Sequence, residues 1–273
     1  MKQRIITAIL LVLVLVPFFY SKLVFENDIP LILLAIVLSI IGLTELIAAK
    51  ENHHNLHAVV RFVMYIAMLY IAFNDVVMET IYHRAPLQVD IIPLLIIFIG
   101  LWMIIQNKFT VHDAGFVLFA IFYVGLSFLG LTHFLIHRIE LLIYLLIVPV
   151  LTDTFAYFIG RAIGKHKLIP EVSPNKTIEG SVGGTIIATI GGAIYLMFVL
   201  DDVNLGVALG LSIGLSIIAQ IGDLIASKMK RTFDIKDYGN LFPGHGGVLD
   251  RLDSLLFTSL TLYYILQLFP QLL

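Results

Sequence analysis

The feature that most constrains the fold is a succession of apolar stretches, each about as long as a membrane-crossing helix. A helix rising about 1.5 Å per residue needs about 20 apolar residues to cross roughly 30 Å of hydrocarbon. Of the 273 residues, 59% are hydrophobic and 13% are charged. The sequence therefore predicts an all-α, polytopic integral membrane protein with nine transmembrane helices. The predicted spans are 5–25, 29–49, 59–78, 89–106, 113–135, 140–162, 180–200, 205–226 and 248–270.

The first apolar stretch has two interpretations. Lys2 and Arg4 followed by an apolar body are typical of a cleaved signal peptide as well as of a first membrane span. The apolar run continues past Pro17 to Phe25, and no Ala-x-Ala-type site closes it. We therefore expect an uncleaved first span.

Lysine and arginine are distributed unevenly between the two sides that these spans define. Because cationic residues are retained in cytoplasmic loops, the side richer in them is expected to face the cytoplasm. With the N-terminus inside, 14 of the 17 lysine and arginine residues fall on the inner side. We expect a protein of the cell membrane with a cytoplasmic N-terminus and an outer C-terminus.

The two halves of the chain differ in polar content. Residues 1–135 are expected to form scaffold helices. Glu45 near the inner end of the second span is interpreted as a helix-end or snorkelling carboxylate, with a role in the polar site as the alternative. Residues 136–273 carry two polar inner loops, 161–180 and 227–253, and are expected to form the catalytic half. The absence of cysteine excludes disulfides, Cys-ligated zinc and iron–sulfur clusters.

Four aspartates lie at, or one to two turns inside, the inner ends of predicted spans: Asp153, Asp223, Asp250 and Asp253. A carboxylate at membrane depth costs on the order of 2.5–3.5 kcal/mol, so a compensating cation is expected. That cation is either a neighbouring lysine or arginine, or a divalent ion. Mg²⁺ prefers oxygen ligands and usually binds one or two carboxylates plus substrate phosphates. We favour one or two divalent ions, with a monovalent ion as a further option.

A glycine-rich segment, PGHGG at residues 243–247, directly precedes the last span. Glycine permits backbone conformations closed to other residues, and a helix N-terminus adds about half a positive charge. The segment predicts a phosphate cradle, the alternative being a loop that merely re-enters the membrane. Cations in loops 161–180 and 227–253 would attract a polyanion such as a nucleoside triphosphate or a lipid phosphate.

Small residues recur in spans seven and eight. Glycine lets helix backbones approach closely and gain van der Waals contact that lipid does not supply. We predict tight packing of these two spans, with a dimer face as the alternative. The glycines are Gly180, Gly183, Gly184, Gly191 and Gly192 in span seven, and Gly206, Gly210 and Gly214 in span eight.

Residues 227–253, SKMKRTFDIKDYGNLFPGHGGVLDRLD, resemble the signature of the phosphatidate cytidylyltransferase (CDP-diacylglycerol synthase) family. The resemblance rests on S-x-M-K-R, K-D-x-G and P-x-H-G-G-V-x-D-R-L-D, in that order and without a gap. Two more segments are similar to other polar segments of that family: D-T-x-A-Y from Asp153 and S-P-N-K-T-x-E-G from Ser173.

The resemblance implies conversion of CTP and phosphatidate to CDP-diacylglycerol and pyrophosphate, a requirement for Mg²⁺, and an active site on the cytoplasmic face. The predicted catalytic residues are Asp223, Lys230, Arg231, His245 and Asp250. The predicted substrate-binding residues are Asp153, Lys176, Ser227, Lys236, Asp237, Gly246, Gly247, Arg251 and Asp253. The predicted metal ligands are Asp223, Asp250 and Asp253. The expected partners are the two substrates and the lipid bilayer, with a homodimer as an option and no nucleic acid.

Two other classes of function stay open at this point. Related CTP-dependent membrane enzymes, namely prenol or phytol kinases and CDP-archaeol synthases, would use a similar polar site. An ion-coupled transporter also carries intramembrane carboxylates and glycine-interrupted helices. The concentration of charge at one end of the chain, with no counterpart in the N-terminal half, argues against transport.

Overall fold

A computed structural model describes residues 16–51, 55–87, 89–201, 203–242, 244 and 246–273. Every predicted span coincides with one α-helix, although residues 5–15 of the first span lie outside the described residues. The helices are α1 (Val16–Phe25 in its described part), α2 (Ile29–Glu51), α3 (Ala58–Thr80), α4 (Ile91–Ile105), α5 (Val111–His137), α6 (Ile139–Ile163), α7 (Ile178–Val199), α8 (Leu205–Thr232) and α9 (Leu249–Leu268).

Six of these helices are long and apolar enough to cross a membrane, judged by length and composition: α2, α3, α5, α6, α7 and α8. Helix α4 has 15 residues, and α9 carries Asp250, Arg251 and Asp253 in its first turns. The prediction of a polytopic helical membrane protein agrees with this architecture. The count of nine crossings stays a prediction.

The loop 161–180 contains a β-hairpin, which the prediction of an all-α protein did not include. Strand β1 (Lys167–Ile169) pairs with β2 (Ser173–Thr177) in an antiparallel hairpin. Pro170 follows β1, and a 3.1 Å bond from Val172 N to Ile169 O closes the turn. Helix α7 starts directly after β2, where Thr177 Oγ1 accepts a bond from Gly180 N. The hairpin is thereby fixed to the end of α7 that carries the polar loop.

The described helices form two connected groups. Helix α5 packs against α2, α3 and α9, while α6, α7 and α8 pack against one another and α8 also contacts α9. At Gly130 of α5, an added Cβ would lie 2.6 Å from the carbonyl oxygen of Ser259 in α9. Helix α9 therefore joins the N-terminal helices to the group that carries the polar loops.

The prediction of close packing at glycines is confirmed for α7 and wrong for α8. An added Cβ at Gly184 would lie 2.5 Å from Thr152 O of α6, and one at Gly180 would lie 2.5 Å from Ala156 O. Around Gly210 and Gly214 of α8, by contrast, no described atom beyond the adjacent residues and the local helix backbone lies within 4 Å of such a Cβ. That face of α8 is open, because α7 and α9 pack on its other sides.

Candidate active site

Two polar cavities lie where α6, α7, α8 and α9 carry their charged residues. The hairpin cavity, about 620 Å³, is bounded by α6, the hairpin, α7 and α8, and its charged and amide residues are Asp153, Arg161, Lys167, Asn175, Lys176, Gln220 and Asp223. The α9 cavity, about 480 Å³, is bounded by α6, α8 and α9, and its charged residues are Asp153, Asp223, Asp250, Arg251 and Asp253. Asp153 and Asp223 line both, so the two cavities adjoin.

Asp250 lies in the first turn of α9 and accepts three hydrogen bonds. Its Oδ1 accepts from the ammonium group of Lys230 at 2.8 Å. Its Oδ2 accepts from the backbone N–H of Tyr238 at 2.7 Å and from that of Gly247 at 3.0 Å. A carboxylate offers about four lone-pair sites, so one remains. Three of the four acceptor sites of Asp250 are thus occupied by donors of the protein.

Lys230 reaches Asp250 because α8 is longer than the predicted span. The helix continues to Thr232, which puts Lys230 and Arg231 in its last turn, where cations are favoured by the helix dipole. The Lys230 and Asp250 side chains are 12% and 2% exposed, so this is a buried ion pair. Lys230 also lies 5.5 Å from the ring centroid of Tyr238, within cation–π range.

Tyr238 is a site residue that sequence reasoning missed. Its ring is buried, and its hydroxyl donates to Ala226 O of α8 at 3.1 Å. Burial, with the neighbouring carboxylates of Asp250 and Asp253, raises the pKa of this hydroxyl above its ordinary value. The hydroxyl therefore stays protonated at neutral pH and holds the 233–248 loop against α8.

Asp153, Asp223 and Asp253 present the second group of carboxylates. Asp223 of α8 forms an ion pair with Lys176 of β2. Asp253 lies close enough to both Asp223 and Asp153 for electrostatic repulsion among the three. Three helices thus contribute an aspartate each to the wall of the α9 cavity, with Lys176 as a partial counter-charge.

The phosphate cradle predicted at residues 243–247 stays a prediction, and the structure describes part of this segment. Pro243 and His245 lie outside the described residues. Phe242 and Gly246 pair through a backbone bridge, and Gly246 has a φ of +82°, which favours glycine. The N–H of Gly247 donates to Asp250, and those of the next two residues donate to Glu45. These three N–H groups are engaged by carboxylates of the protein, so they are not open to a phosphate in this conformation.

Glu45 is therefore not the snorkelling or helix-end carboxylate that we predicted. It is 8% exposed, and its two oxygens accept from Val248 N and Leu249 N at 2.9 Å each. Burial of a lone carboxylate in an apolar span is costly without such partners. A carboxylate inside an apolar predicted span was the feature of the sequence that could have indicated a specific role for Glu45.

Seven of the predicted site residues that the structure describes do not line either cavity: Ser227, Lys230, Arg231, Lys236, Asp237, Gly246 and Gly247. Ser227 sits one turn beyond Asp223 on α8, Arg231 is exposed at the end of that helix, and Lys236 and Asp237 are exposed in the loop that follows. Gly246 and Gly247 are close to Asp250 without lining either cavity. The roles predicted for these residues stay predictions.

A chain of neutral polar groups, also missed by sequence reasoning, extends from the hairpin cavity between the helices. Ser181 Oγ donates to Gln220, whose Nε2 donates to Thr185 Oγ1 at 2.9 Å. Ser216 continues the chain and bonds Thr152 of α6 at 2.8 Å. These bonds link α6, α7 and α8 to one another next to the hairpin cavity.

The aspartates of the two cavities offer oxygen ligands to a divalent ion. Within the described parts of the chain, no three His, Asp or Glu side chains converge into a preassembled metal site. Mg²⁺ does not require one, because it usually keeps waters and binds one or two carboxylates together with substrate phosphates. Asp223, Asp253 and the remaining lone pair of Asp250 supply oxygen ligands of the right type, so the residues fit the ion.

Comparison with known proteins shows the family of the chain. The sequence profile of the Cytidylyltransferase family matches residues 2–269. The chain belongs to this family. A relative from Staphylococcus haemolyticus, named phosphatidate cytidylyltransferase, is 36% identical over 257 residues, which cover 94% of this chain and 95% of the relative. A Staphylococcus aureus protein of the same name is 34% identical over 262 residues, with the same coverage.

A third protein with that name, from Bacillus subtilis, is 38% identical over 174 residues, covering 61% of this chain and 63% of the relative. The resemblance noted from residues 227–253 is thus confirmed over nearly the whole length of the chain. The N-terminal helices belong to the cytidylyltransferase family match as well, consistent with the contact of α2 with the start of α9.

Proposed function

We propose that this protein transfers the cytidylyl group of CTP to phosphatidate, giving CDP-diacylglycerol and pyrophosphate for phospholipid biosynthesis. One observation carries the proposal: the aspartates of the family-like segments, Asp153, Asp223 and Asp250, line adjoining cavities at the ends of apolar helices. The names of the relatives from Staphylococcus and Bacillus support the same reaction.

The proposed reaction brings together two polyanions. An oxygen of the lipid phosphate forms a bond to the α-phosphorus of CTP, and the bond from that phosphorus to the α–β bridging oxygen breaks, releasing pyrophosphate. A phosphate monoester has a second pKa near 6, so the attacking group is largely a dianion at neutral pH. It needs no strong general base, and the protein contributes mainly position and charge.

The cations of the hairpin cavity suit the phosphates of CTP. Arg161, Lys167 and Lys176 line it together with Asn175, and all four come from α6 or the hairpin. Lys230 is already paired with Asp250, so its proposed role is to hold that carboxylate in place. His245 is proposed to hydrogen-bond a phosphate, and it lies outside the described residues.

We propose Asp223, Asp253 and the remaining lone pair of Asp250 as the groups that hold Mg²⁺, in one or two ions. A bound divalent ion would neutralise phosphate charge and favour departure of pyrophosphate. The surrounding residues act on the carboxylates themselves. Lys176 and Lys230 hold Asp223 and Asp250 in place through ion pairs, and the N–H of Tyr238 orients the second oxygen of Asp250.

An apolar groove next to the hairpin cavity suits the acyl chains of the lipid. The groove, about 370 Å³, lies between α7 and α8 and shares Leu168, Ser181 and Gln220 with the cavity. Its outer part is lined by apolar side chains: Val182, Ile186, Ile217, Ile221 and Leu224. A lipid could thus keep its tails in an apolar environment while its phosphate enters the polar cavity.

The proposed topology has nine crossings, a cytoplasmic N-terminus and an outer C-terminus, with both cavities facing the cytoplasm. The distribution of lysine and arginine supports it. So does the correspondence of nine described helices to the nine apolar stretches. A cytoplasmic site has direct access to CTP.

The decisive experiment uses purified protein with CTP, phosphatidate and Mg²⁺ in detergent or vesicles. We expect CDP-diacylglycerol and pyrophosphate in equal amounts. A lipid kinase transfers the γ-phosphoryl group and releases CDP, so CDP without pyrophosphate contradicts the proposal. An archaeol-type substrate used in preference to phosphatidate points to the other enzymatic alternative, and ion-driven uptake without lipid product points to a transporter.

A further inference from the structure

We infer that Glu45 of α2 is a positioning residue for the reaction, fixing the N-terminal end of α9 and thereby the carboxylates that α9 carries. The inference rests on the proposed function. It also assigns a role in the active site to the N-terminal half of the chain, which the sequence alone suggested was scaffold.

The contacts of Glu45 are specific to the first residues of α9. Its Oε1 accepts from Val248 N at 2.9 Å, and its Oε2 accepts from Leu249 N at 2.9 Å. The residues are separated by 203 and 204 positions in the chain. Val248 itself has no capping side-chain bond. Glu45 thus supplies from another helix the N-terminal cap that α9 lacks locally.

Two glycines leave room for the Glu45 carboxylate. An added Cβ at Gly239 would lie 2.5 Å from Glu45 Oε1. At Gly247 it would lie closer still to Oε1 and 2.5 Å from Oε2. Any side chain at either position would displace the carboxylate. Gly239 and Gly247 belong to the segments that resemble the family signature, so their small size has a physical reason here.

The position of Glu45 is transmitted to Asp250 over one turn of backbone. The N–H groups of residues 247, 248 and 249 bond in sequence to Asp250, Glu45 and Glu45. Asp250 in turn bonds Tyr238 N and Lys230. The start of α9 is therefore held between two carboxylates, one from α2 and its own.

The role requires two acceptor oxygens and a negative charge. Glutamine offers one acceptor and one amide donor, so it would set a donor against one of two N–H groups. It would also lose the favourable interaction between a carboxylate and the positive end of the helix dipole. Aspartate keeps both oxygens and the charge, but its shorter side chain retracts them. We expect turnover to fall in the order wild type, Glu45→Asp, Glu45→Gln.

The test compares these variants with Asp113→Asn. Asp113 is another buried carboxylate at the end of an N-terminal helix, where it accepts from Thr110 N and pairs with Lys50 at 2.8 Å, away from both cavities.

We expect kcat of Glu45→Gln to fall about 10–100-fold, the range found when a group that orients functional residues is lost. KM for CTP should change less than about 3-fold, because Glu45 contacts none of the hairpin-cavity cations.

A second readout is amide hydrogen exchange of the peptide 246–252. It should rise in Glu45→Gln and stay unchanged in Asp113→Asn. Gly239→Ala, which retains Glu45 but displaces its carboxylate, should lower kcat in the same way. If Glu45→Gln does not fold, kcat and hydrogen exchange are compared in Glu45→Asp and Gly239→Ala instead.

Three outcomes overturn the inference: near-normal kcat in a folded Glu45→Gln or Gly239→Ala protein, an equal kcat loss in Asp113→Asn, or lost activity with unchanged exchange at 246–252. The activity of the wild-type protein distinguishes a failure of the proposed function from a failure of the role inferred for Glu45. A wild type that makes no CDP-diacylglycerol contradicts the proposed function. An active wild type with an equally active Glu45→Gln contradicts the role of Glu45 alone.

Discussion

The ammonium group of Lys230 lies 2.8 Å from Oδ1 of Asp250, which ties the last turn of α8 to the first turn of α9. Both side chains are largely buried. Burial removes water from both charges, so each depends on the other for compensation. The pair therefore determines how the loop between the helices can close.

Lys230→Met is expected to lower both stability and activity. Removing one partner of a buried ion pair leaves an uncompensated charge, at a cost of about 3–5 kcal/mol. We expect a clear fall in the thermal midpoint of the detergent-solubilised protein and near-complete loss of CDP-diacylglycerol formation. Lys228→Met, at an exposed position on the same helix, is the matched control and should change neither.

The double variant Lys230→Met/Asp250→Asn refines this prediction. Removing both charges should restore part of the thermal midpoint, because no lone charge stays buried. Activity should stay low, since the proposed site then lacks the Asp250 carboxylate. A double variant with normal turnover would show that Asp250 is dispensable.

Asp223→Asn is expected to reduce turnover by about 100-fold or more, the size of effect seen when one electrostatic group of an active site is removed. Asp223 lines both cavities and is proposed as a metal ligand. The Mg²⁺ concentration for half-maximal activity should also rise. Glu171→Gln, exposed at the turn of the hairpin, is the control. Near-normal turnover by correctly inserted Asp223→Asn protein would contradict the proposal that Asp223 is a metal ligand.

Two glycine substitutions should have opposite effects on stability. At Gly184 an added methyl group would lie 2.5 Å from Thr152 O, and such overpacking typically costs about 1–3 kcal/mol. At Gly210 an added Cβ would meet no described atom within 4 Å apart from its own stretch of helix, and alanine is favoured over glycine within helices by about 1 kcal/mol. We expect Gly184→Ala to lower the thermal midpoint and Gly210→Ala to keep or raise it. A lowered midpoint in Gly210→Ala would indicate that a partner covers this face.

The topology can be tested directly because the chain contains no cysteine. Single cysteines are introduced at the exposed positions 84, 165, 171 and 271 and treated with a membrane-impermeant maleimide on intact cells. Arg84→Cys and Gln271→Cys should be labelled, whereas Lys165→Cys and Glu171→Cys should be labelled only after permeabilisation. Labelling of position 271 only after permeabilisation would contradict the outer C-terminus.

Local sequence patterns predicted much of the fold because they depend on local physical requirements. Hydrocarbon thickness sets the length of a span, so the helices could be located from apolar runs alone. The end of α8 was placed too early, since Ser227–Thr232 is polar but still helical. The hairpin at 167–177 was missed, because its strands have three and five residues and lack a clear alternating pattern.

The sequence indicated which aspartates line the candidate site, but not which cation pairs with which aspartate. Asp153, Asp223, Asp250 and Asp253 were singled out from the cost of burying charge, and they do line adjoining cavities. Which cation pairs with which carboxylate could not be predicted, because a lysine side chain has several neighbours within reach at a helix end. The structure pairs Lys176 with Asp223 and Lys230 with Asp250.

That the chain is a polytopic helical membrane protein of the cytidylyltransferase type follows from its sequence, because apolar content and a contiguous motif do not depend on how the chain packs. The cap that Glu45 provides for α9, and the bonds to Asp250 from two backbone N–H groups and Lys230, are seen in the structure alone. These contacts join residues as many as 204 positions apart. Their existence depends on how helices pack, and helix packing is set by shape complementarity that no local pattern encodes.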